Sequence, residues 1–149
     1  MPSRVVIGVG NPHRGDDAAG WLVADCLLAQ PARTFDVVRS GGDVGELLDC
    51  FSLYNEVILV DAAPELDAVM RLDARSHPLP VRLAGASSHG LGLAHAVELA
   101  RTLGRLPQRL VIYAIPARDF TRQAGISRDT AEAVQQVVAL IRGEYLSAP

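Results

Sequence analysis

The sequence predicts an α/β fold: a three-layer sandwich with a mostly parallel, twisted five-stranded sheet and helices on both faces. Two observations predict it. Short β-branched apolar runs alternate with stretches of helical periodicity, and the segments that connect them are short. The chain contains no internal repeat, low-complexity segment or linker, so residues 1–149 are assigned to a single domain.

Four short runs rich in valine and isoleucine are typical of strands buried in a parallel sheet. They cover residues 4–9, 35–39, 56–61 and 109–115. Residues 68–74 alternate between apolar and polar side chains instead. This segment is therefore predicted to be an edge strand, antiparallel to the others.

Apolar residues with the i, i+3, i+4, i+7 spacing of a buried helical face predict helices between and after these strands. The second helix is short and covers residues 44–51. Ser127 is expected to cap the last helix. The other apolar stripes begin at Ala19, Leu93 and Val134.

The composition indicates a soluble globular protein, with 49% hydrophobic residues and a formal net charge of -3. The slightly acidic balance argues against nucleic acid as a partner. All 14 basic residues are arginines, which excludes lysine chemistry. No apolar segment is long enough for a membrane span, and the first residues lack the layout of a signal peptide. Cys26 and Cys50 have no metal-type spacing, so a reducing cytoplasm is the expected location.

The segment GVGNPHRGDDAAG, residues 8–20, follows the first strand and leads into the first helix. It could bind the phosphate groups of a nucleotide, or its acidic side chains could bind a metal ion. A Rossmann-like cradle requires G-x-G-x-x-G, but the third glycine position is His13. Asp16 and Asp17 would also place negative charge where a pyrophosphate needs amide donors. A nucleotide site is therefore the least favoured interpretation.

A metal site requires oxygen and nitrogen ligands from separate segments, and sites in open α/β sheets form at the carboxyl ends of the strands. Three candidates fall there: Asp17, Asp61 and His89. Two carboxylates and one imidazole leave coordination positions open for a substrate. Alternatively, Asp16 and Asp17 could be carboxylates favoured by a helix dipole, and Asp61 could cap a helix that starts at Ala62. His89 lies at the opening of the third long helix and could be its N-terminal cap, although histidine is a poor cap.

These segments resemble the hydrogenase maturation endopeptidases, which trim the C-terminus of the large subunit of nickel-iron hydrogenases. Residues 8–20 resemble that family's G-x-G-N-x-x-x-x-D-[DE]-x-x-G signature, and residues 40–49, SGGDVGELLD, its second loop with a Gly-Gly pair. Residues 57–63, VILVDAA, match its strand that ends in Asp, and residues 87–93, SSHGLGL, its S-x-H-x-[LG]-x-L motif. The four motifs occur in the family's order and span nearly the whole chain.

The resemblance implies that Asp17, Asp61 and His89 contact a nickel ion that the substrate supplies. The expected substrate is a nickel-loaded precursor of a hydrogenase large subunit, whose C-terminal extension is removed. The expected enzyme is an aspartic-type, nickel-dependent endopeptidase that acts as a monomer. A water activated by the metal or by a carboxylate would attack the scissile carbonyl, and Asp16 is the nearest spare general base. A chaperone that binds the precursor or the nickel without cutting is the alternative.

Three positions depart from the family pattern. His13 replaces a frequent leucine, and it is either an exposed loop residue, which we favour, or a fourth metal contact. Ser40 stands where an Asp commonly precedes the glycine pair, and Asp43 replaces a frequent Thr. Asp43 is a candidate to supply the carboxylate that is missing at Ser40.

The remaining candidates are expected to be structural or solvated. His95 is assigned to the surface or the edge of the core, and His77 to a solvated loop. Cys26 and Cys50 are assigned to packing. Three glycines are expected to form a turn with positive φ before the second helix: Gly41, Gly42 and Gly45.

Overall fold

The computed structural model describes residues 3–31, 33–80, 87–121 and 125–145, with the side chains of 87–92 and 145 excepted. The strands are β1 (Arg4–Val9), β2 (Asp36–Ser40), β3 (Glu56–Ala63), β4 (Met70–Asp73) and β5 (Arg109–Pro116). The helices are α1 (Ala19–Leu28), α2 (Val44–Leu53), α3 (Ser87–Thr102) and α4 (Arg128–Tyr145), and a short 3-10 helix, Gly15–Ala18, precedes α1. Every predicted strand and helix is present. The clearest differences are that β3 continues to Ala63 and that β4 is shorter than the predicted segment 68–74.

The five strands form one sheet in the order β2-β1-β3-β5-β4. β1 pairs in parallel with β2 and β3, and β3 pairs in parallel with β5. β4 is antiparallel to β5 at the edge. The predicted fold class, including its antiparallel edge strand, is confirmed.

Helices cover both faces of the sheet, and alternate residues of each strand point to opposite faces. On one face, Val6 and Ile58 pack with residues of α1 and α4. On the other, Val5 and Val57 pack with residues of α2 and α3. The three layers follow from this division. Among the described residues, no helix combines the length and apolar character that a bilayer crossing requires.

The strand order changes direction between β1 and β3. From β1 the chain moves to β2 on one side, and then returns through α2 to β3 on the other side of β1. In open α/β sheets, this reversal leaves a crevice at the carboxyl ends of the two central strands, where ligands bind. The segments that follow β1 and end β3 therefore form the expected site.

Two glycines bring the start of α1 close to this crevice. A Cβ on Gly8 would collide with the carbonyl oxygen of Gly20, and a Cβ on Gly20 would lie 2.6 Å from the carbonyl oxygen of Val60 and 2.8 Å from the amide nitrogen of Val9. The first and last glycines of the 8–20 motif thus allow close contact between α1 and the sheet. As a result, the 3-10 helix that carries Asp16 and Asp17 lies at the carboxyl edge of β1.

Candidate active site

Asp17 is held by the loop that connects β1 to α1. Its amide donates to the carbonyl oxygen of Arg14 at 3.0 Å, and its own carbonyl accepts from the amide of Asn11 at 3.1 Å. Gly10 passes so close to the Asp17 carbonyl that a Cβ would collide with it. With its side chain buried, Asp17 is 2% exposed. The backbone therefore fixes a buried carboxyl group at the end of β1.

Asp61 lies inside β3, at the neighbouring strand end. Its Oδ1 accepts a hydrogen bond of 2.8 Å from the amide of Ala62, and the residue is 8% exposed. It follows Val57 and Leu59 at alternate positions, so its side chain points to the face that α2 and α3 cover. The alternative in which Asp61 caps a helix starting at Ala62 is wrong, because β3 continues to Ala63 by pairing with β5.

The two carboxyl groups interact electrostatically in a water-poor setting. Burial raises the pKa of Asp61 well above its ordinary value, and the neighbouring charge of Asp17 raises that pKa further. The amide of Ala62 acts in the opposite direction. Two carboxylates without a compensating cation therefore resist simultaneous ionisation here. A cation placed between them would relieve both the burial penalty and the repulsion.

His89 occupies the first turn of α3, whose buried residues pack on the face toward which Asp61 points. The side chain of His89 lies outside the described residues. Among the side chains that the structure describes, no group of three His, Cys, Asp or Glu residues is placed to hold a metal ion. The structure therefore brings together two of the three predicted ligands, and the third remains a prediction.

Asp16 is in a different environment from its neighbour. It is fully buried, and its Oδ2 accepts from the amides of Arg118 at 2.7 Å and Asp119 at 3.0 Å. Ser127 donates to both oxygens, with its amide to Oδ1 at 2.6 Å and its hydroxyl to Oδ2 at 2.8 Å. Burial alone would raise the pKa of Asp16, but these hydrogen bonds outweigh it and lower the pKa below its ordinary value. This geometry favours a structural role over the general-base role expected from the sequence.

The other histidines are exposed: His13 in the loop after β1, His77 after β4 and His95 on α3. The solvated positions expected for them are therefore observed. The carboxylate of Asp43 caps α2 by accepting from the amide of Glu46 at 3.0 Å. The Asp43 carboxylate therefore serves as the N-terminal cap of α2.

Ser40 is buried, and its hydroxyl accepts from the amide of Gly42 at 3.0 Å. Of the three glycines expected to have positive φ, Gly42 has it, at 93°, whereas Gly41 and Gly45 do not. Gly45 lies in the first turn of α2, where helical backbone suits any residue. The prediction was correct for one of the three.

Both cysteines are half-buried and pack against the two cores, as expected. Burial raises the pKa of the Cys50 thiol, and the charges of Glu46 and Asp49 raise it further. A thiol in this setting is a poor nucleophile at neutral pH.

Trp21, the only tryptophan of the chain, was not among the predicted site residues. Its indole N–H donates to the carbonyl of Ser40 at 2.9 Å, and the Arg39 guanidinium lies 5.2 Å from its ring centre. The same carbonyl accepts from the amide of Gly10 at 3.0 Å. Trp21 therefore joins the end of β2 to the loop that carries Asp17. Its position one helical turn after Asp17 was the available signal.

No protein-family model and no curated protein sequence matches this chain. Several solved structures do match it. The hydrogenase maturating endopeptidase HybD from E. coli has a TM-score of 0.75 and 22% identity, over 95% of this chain and 93% of that one. NiFe hydrogenase maturation protease HybD from Thermococcus kodakarensis has a TM-score of 0.72 and 17% identity, over 95% and 98%.

A third similar structure is the NiFe hydrogenase maturation protease HycI from Thermococcus kodakarensis KOD1, with a TM-score of 0.65 and 24% identity over 94% of this chain and 90% of that one. At these identities the likeness concerns the fold, and it extends over nearly the full length of each chain. The protein therefore has the fold of the hydrogenase maturation endopeptidases, the family that its four sequence motifs resemble.

Proposed function

We propose that this protein is an endopeptidase that removes the C-terminal extension of a nickel-loaded hydrogenase large-subunit precursor. The observation that carries the proposal is the pair of buried carboxyl groups, Asp17 and Asp61, at the carboxyl ends of the two central strands. The shared fold and the four sequence motifs support the same assignment.

The electrostatics of the pair suit an ion that arrives from outside. Asp61 must lose its proton to become a ligand, and beside Asp17 that loss is unfavourable until a cation is present. The two carboxylates alone therefore have a low affinity for a free metal ion. An ion already bound to substrate thiolates would bring its own affinity and accept the carboxylates as additional ligands.

His89 is assigned as the third ligand. Its helix, α3, begins next in the chain after β4 and packs on the face toward which Asp61 points. An imidazole is a common ligand for nickel and leaves the remaining positions to the substrate. Coordination by all three residues would fix the scissile peptide at the crevice.

Hydrolysis then requires a water molecule next to the scissile carbonyl. The water oxygen adds to the carbonyl carbon, the carbon–nitrogen bond breaks, and the amine that leaves takes up a proton. The hydrogen bonds to Asp16 lower its pKa, which makes Asp16 a weak acceptor for the proton that the attacking water releases.

The test is cleavage of purified nickel-loaded precursor, followed by the mass of its C-terminus. We expect the wild-type protein to release the extension. Asp17→Asn, Asp61→Asn and His89→Ala should each slow the reaction by roughly 100-fold or more. Asp49→Asn changes an exposed carboxylate of α2 and should cleave at the wild-type rate.

Two outcomes would overturn the assignment. A wild-type protein that binds the loaded precursor and leaves its mass unchanged would be a chaperone. Cleavage at the wild-type rate by Asp61→Asn would place the reaction elsewhere in the molecule.

A further inference from the structure

Asp16 and its hydrogen-bond donors form a group that we call the Asp16 clamp: the Asp16 carboxylate together with Arg118, Asp119 and Ser127. We propose that Asp16 is a positioning residue, which holds the Asp17 carboxylate in the direction that the reaction requires. The inference rests on the proposed function, because it assigns Asp17 to that reaction. It concerns a residue that neither contacts substrate nor transfers a proton.

The clamp joins two segments that are far apart in the sequence. Four hydrogen bonds of 2.6–3.0 Å reach the Asp16 carboxylate, three of them from backbone amides of the connection between β5 and α4. The hydroxyl of Thr130, which bonds to the carbonyl of Pro116 at 2.8 Å, lies 2.9 Å from that of Ser127. The two ends of the connection are therefore fixed to each other and to Asp16.

The backbones of the two segments also contact each other directly. The amide of Asp16 donates to the carbonyl of Asp119 at 2.7 Å. Gly15 has a φ of +52°, and a Cβ there would collide with the same carbonyl and lie 3.3 Å from that of Thr121. The 3-10 helix is thus held by its backbone as well as by the Asp16 carboxylate, and no side chain separates the segments.

This attachment determines where Asp17 points. Consecutive residues of a tight helical turn project in different directions, so fixing Asp16 toward the β5–α4 connection directs Asp17 elsewhere. Asp17 interacts electrostatically with Asp61, which lies on the neighbouring strand β3. The backbone of Asp17 is tied at the same time to Arg14 and Asn11. Rotation of the 3-10 helix would break both sets of bonds.

The same bonds disfavour Asp16 as a base. Three of the four donors reach Oδ2 and one reaches Oδ1, and protonation of the carboxylate would weaken these charge-assisted bonds. Asp16 is also fully buried, so no part of it is open to solvent. Positioning is the role that remains.

The test compares Asp16→Asn and Ser127→Ala with Asp129→Asn, which alters an exposed carboxylate two residues beyond Ser127. Each variant is assayed well below its melting temperature, so that it is folded. For Asp16→Asn we expect kcat to fall by roughly 10- to 100-fold, because a small misplacement of a catalytic group has costs of this size. KM and the pH profile should keep their wild-type values. Ser127→Ala removes one of the four bonds and should have a smaller effect, and Asp129→Asn none.

Hydrogen exchange gives a second readout that does not depend on cleavage. In Asp16→Asn, amides of residues 10–17, 118–121 and 125–127 should exchange faster together, while those of β1 and β3 keep their protection. If the wild-type protein does not cleave, the proposed function fails, and this exchange pattern still tests the clamp. Wild-type kcat in folded Asp16→Asn would show that Asp16 is structural only. Loss of one limb of the pH profile would show that it is the base, and either result overturns the proposal.

Discussion

The contact between α1 and the sheet predicts that Gly20→Ala destabilises the protein. The added Cβ would lie 2.6 Å from the carbonyl oxygen of Val60 and 2.8 Å from the amide nitrogen of Val9, and closer still to the Val9 carbonyl. These are backbone atoms of β1 and β3, which cannot rotate away as a side chain would. To restore ordinary contacts, α1 must move outward by about 1 Å.

The magnitude follows from two opposing terms. Overpacking of this kind costs about 3 kcal/mol, the upper part of the usual range, because three fixed atoms are contacted. Alanine has a better helix propensity than glycine by about 1 kcal/mol. The expected net loss is about 2 kcal/mol. For a chain of this length the melting temperature should fall by about 4–8 °C.

Urea unfolding followed by Trp21 fluorescence measures the change, with Gly143→Ala as the matched control. Gly143 lies in α4, and no atom lies within 4 Å of a Cβ placed there. The control should therefore gain about 0.5–1 kcal/mol. The two substitutions are chemically identical, but they should change the free energy of unfolding in opposite directions. A Gly20→Ala variant as stable as the wild type would refute the close approach of α1 to β1 and β3.

Three further predictions concern groups outside the site. Glu144→Gln weakens the ion pairs from α4 to Arg71 and Arg109 and should cost about 1 kcal/mol in low-salt urea unfolding, whereas an unchanged midpoint would contradict their contribution. A hydrogen bond of 2.6 Å to Asp36 raises the pKa of Tyr54 to about 12. The contribution of this bond to the stability of the folded protein is therefore complete below pH 10 and disappears as the pH rises through 12. Absorbance at 295 nm should show this late titration and lose it in Tyr54→Phe; a midpoint near 10 would refute the bond. Iodoacetamide at pH 8 should alkylate Cys50 more slowly in the folded than in the urea-unfolded protein, and equal rates would contradict the raised pKa.

β1, β3 and β5 were predictable because inner strands of a parallel sheet are buried on both faces and form continuous apolar runs. The C-terminal end of β3 was less predictable. A carboxylate at Asp61 interrupts the apolar run, and the sequence cannot show that β5 extends far enough to pair with Ala62 and Ala63. Periodicity alone marks α3 only from Leu93, because residues 87–92 carry no apolar stripe.

The two adjacent aspartates differ in a way that the sequence does not show. Asp16 and Asp17 are adjacent and identical in type, so the sequence does not show that the surroundings of their side chains differ. Asp16 differs because its partners are mostly backbone amides more than 100 residues away. Every residue except proline offers such an amide, and for this reason the clamp has no sequence signature.

The glycines of the 8–20 motif connect these findings. In a nucleotide-binding loop, glycines allow the backbone to approach a phosphate, but here Gly8 and Gly20 allow α1 to approach β1 and β3. That contact and the Asp16 clamp fix the 3-10 helix against the sheet and against the connection between β5 and α4. Asp17 is therefore held beside Asp61, at an electrostatic cost that a cation would remove. Under the proposed function, the relief of this cost on docking is what would make the protease respond to a loaded precursor in preference to an empty one.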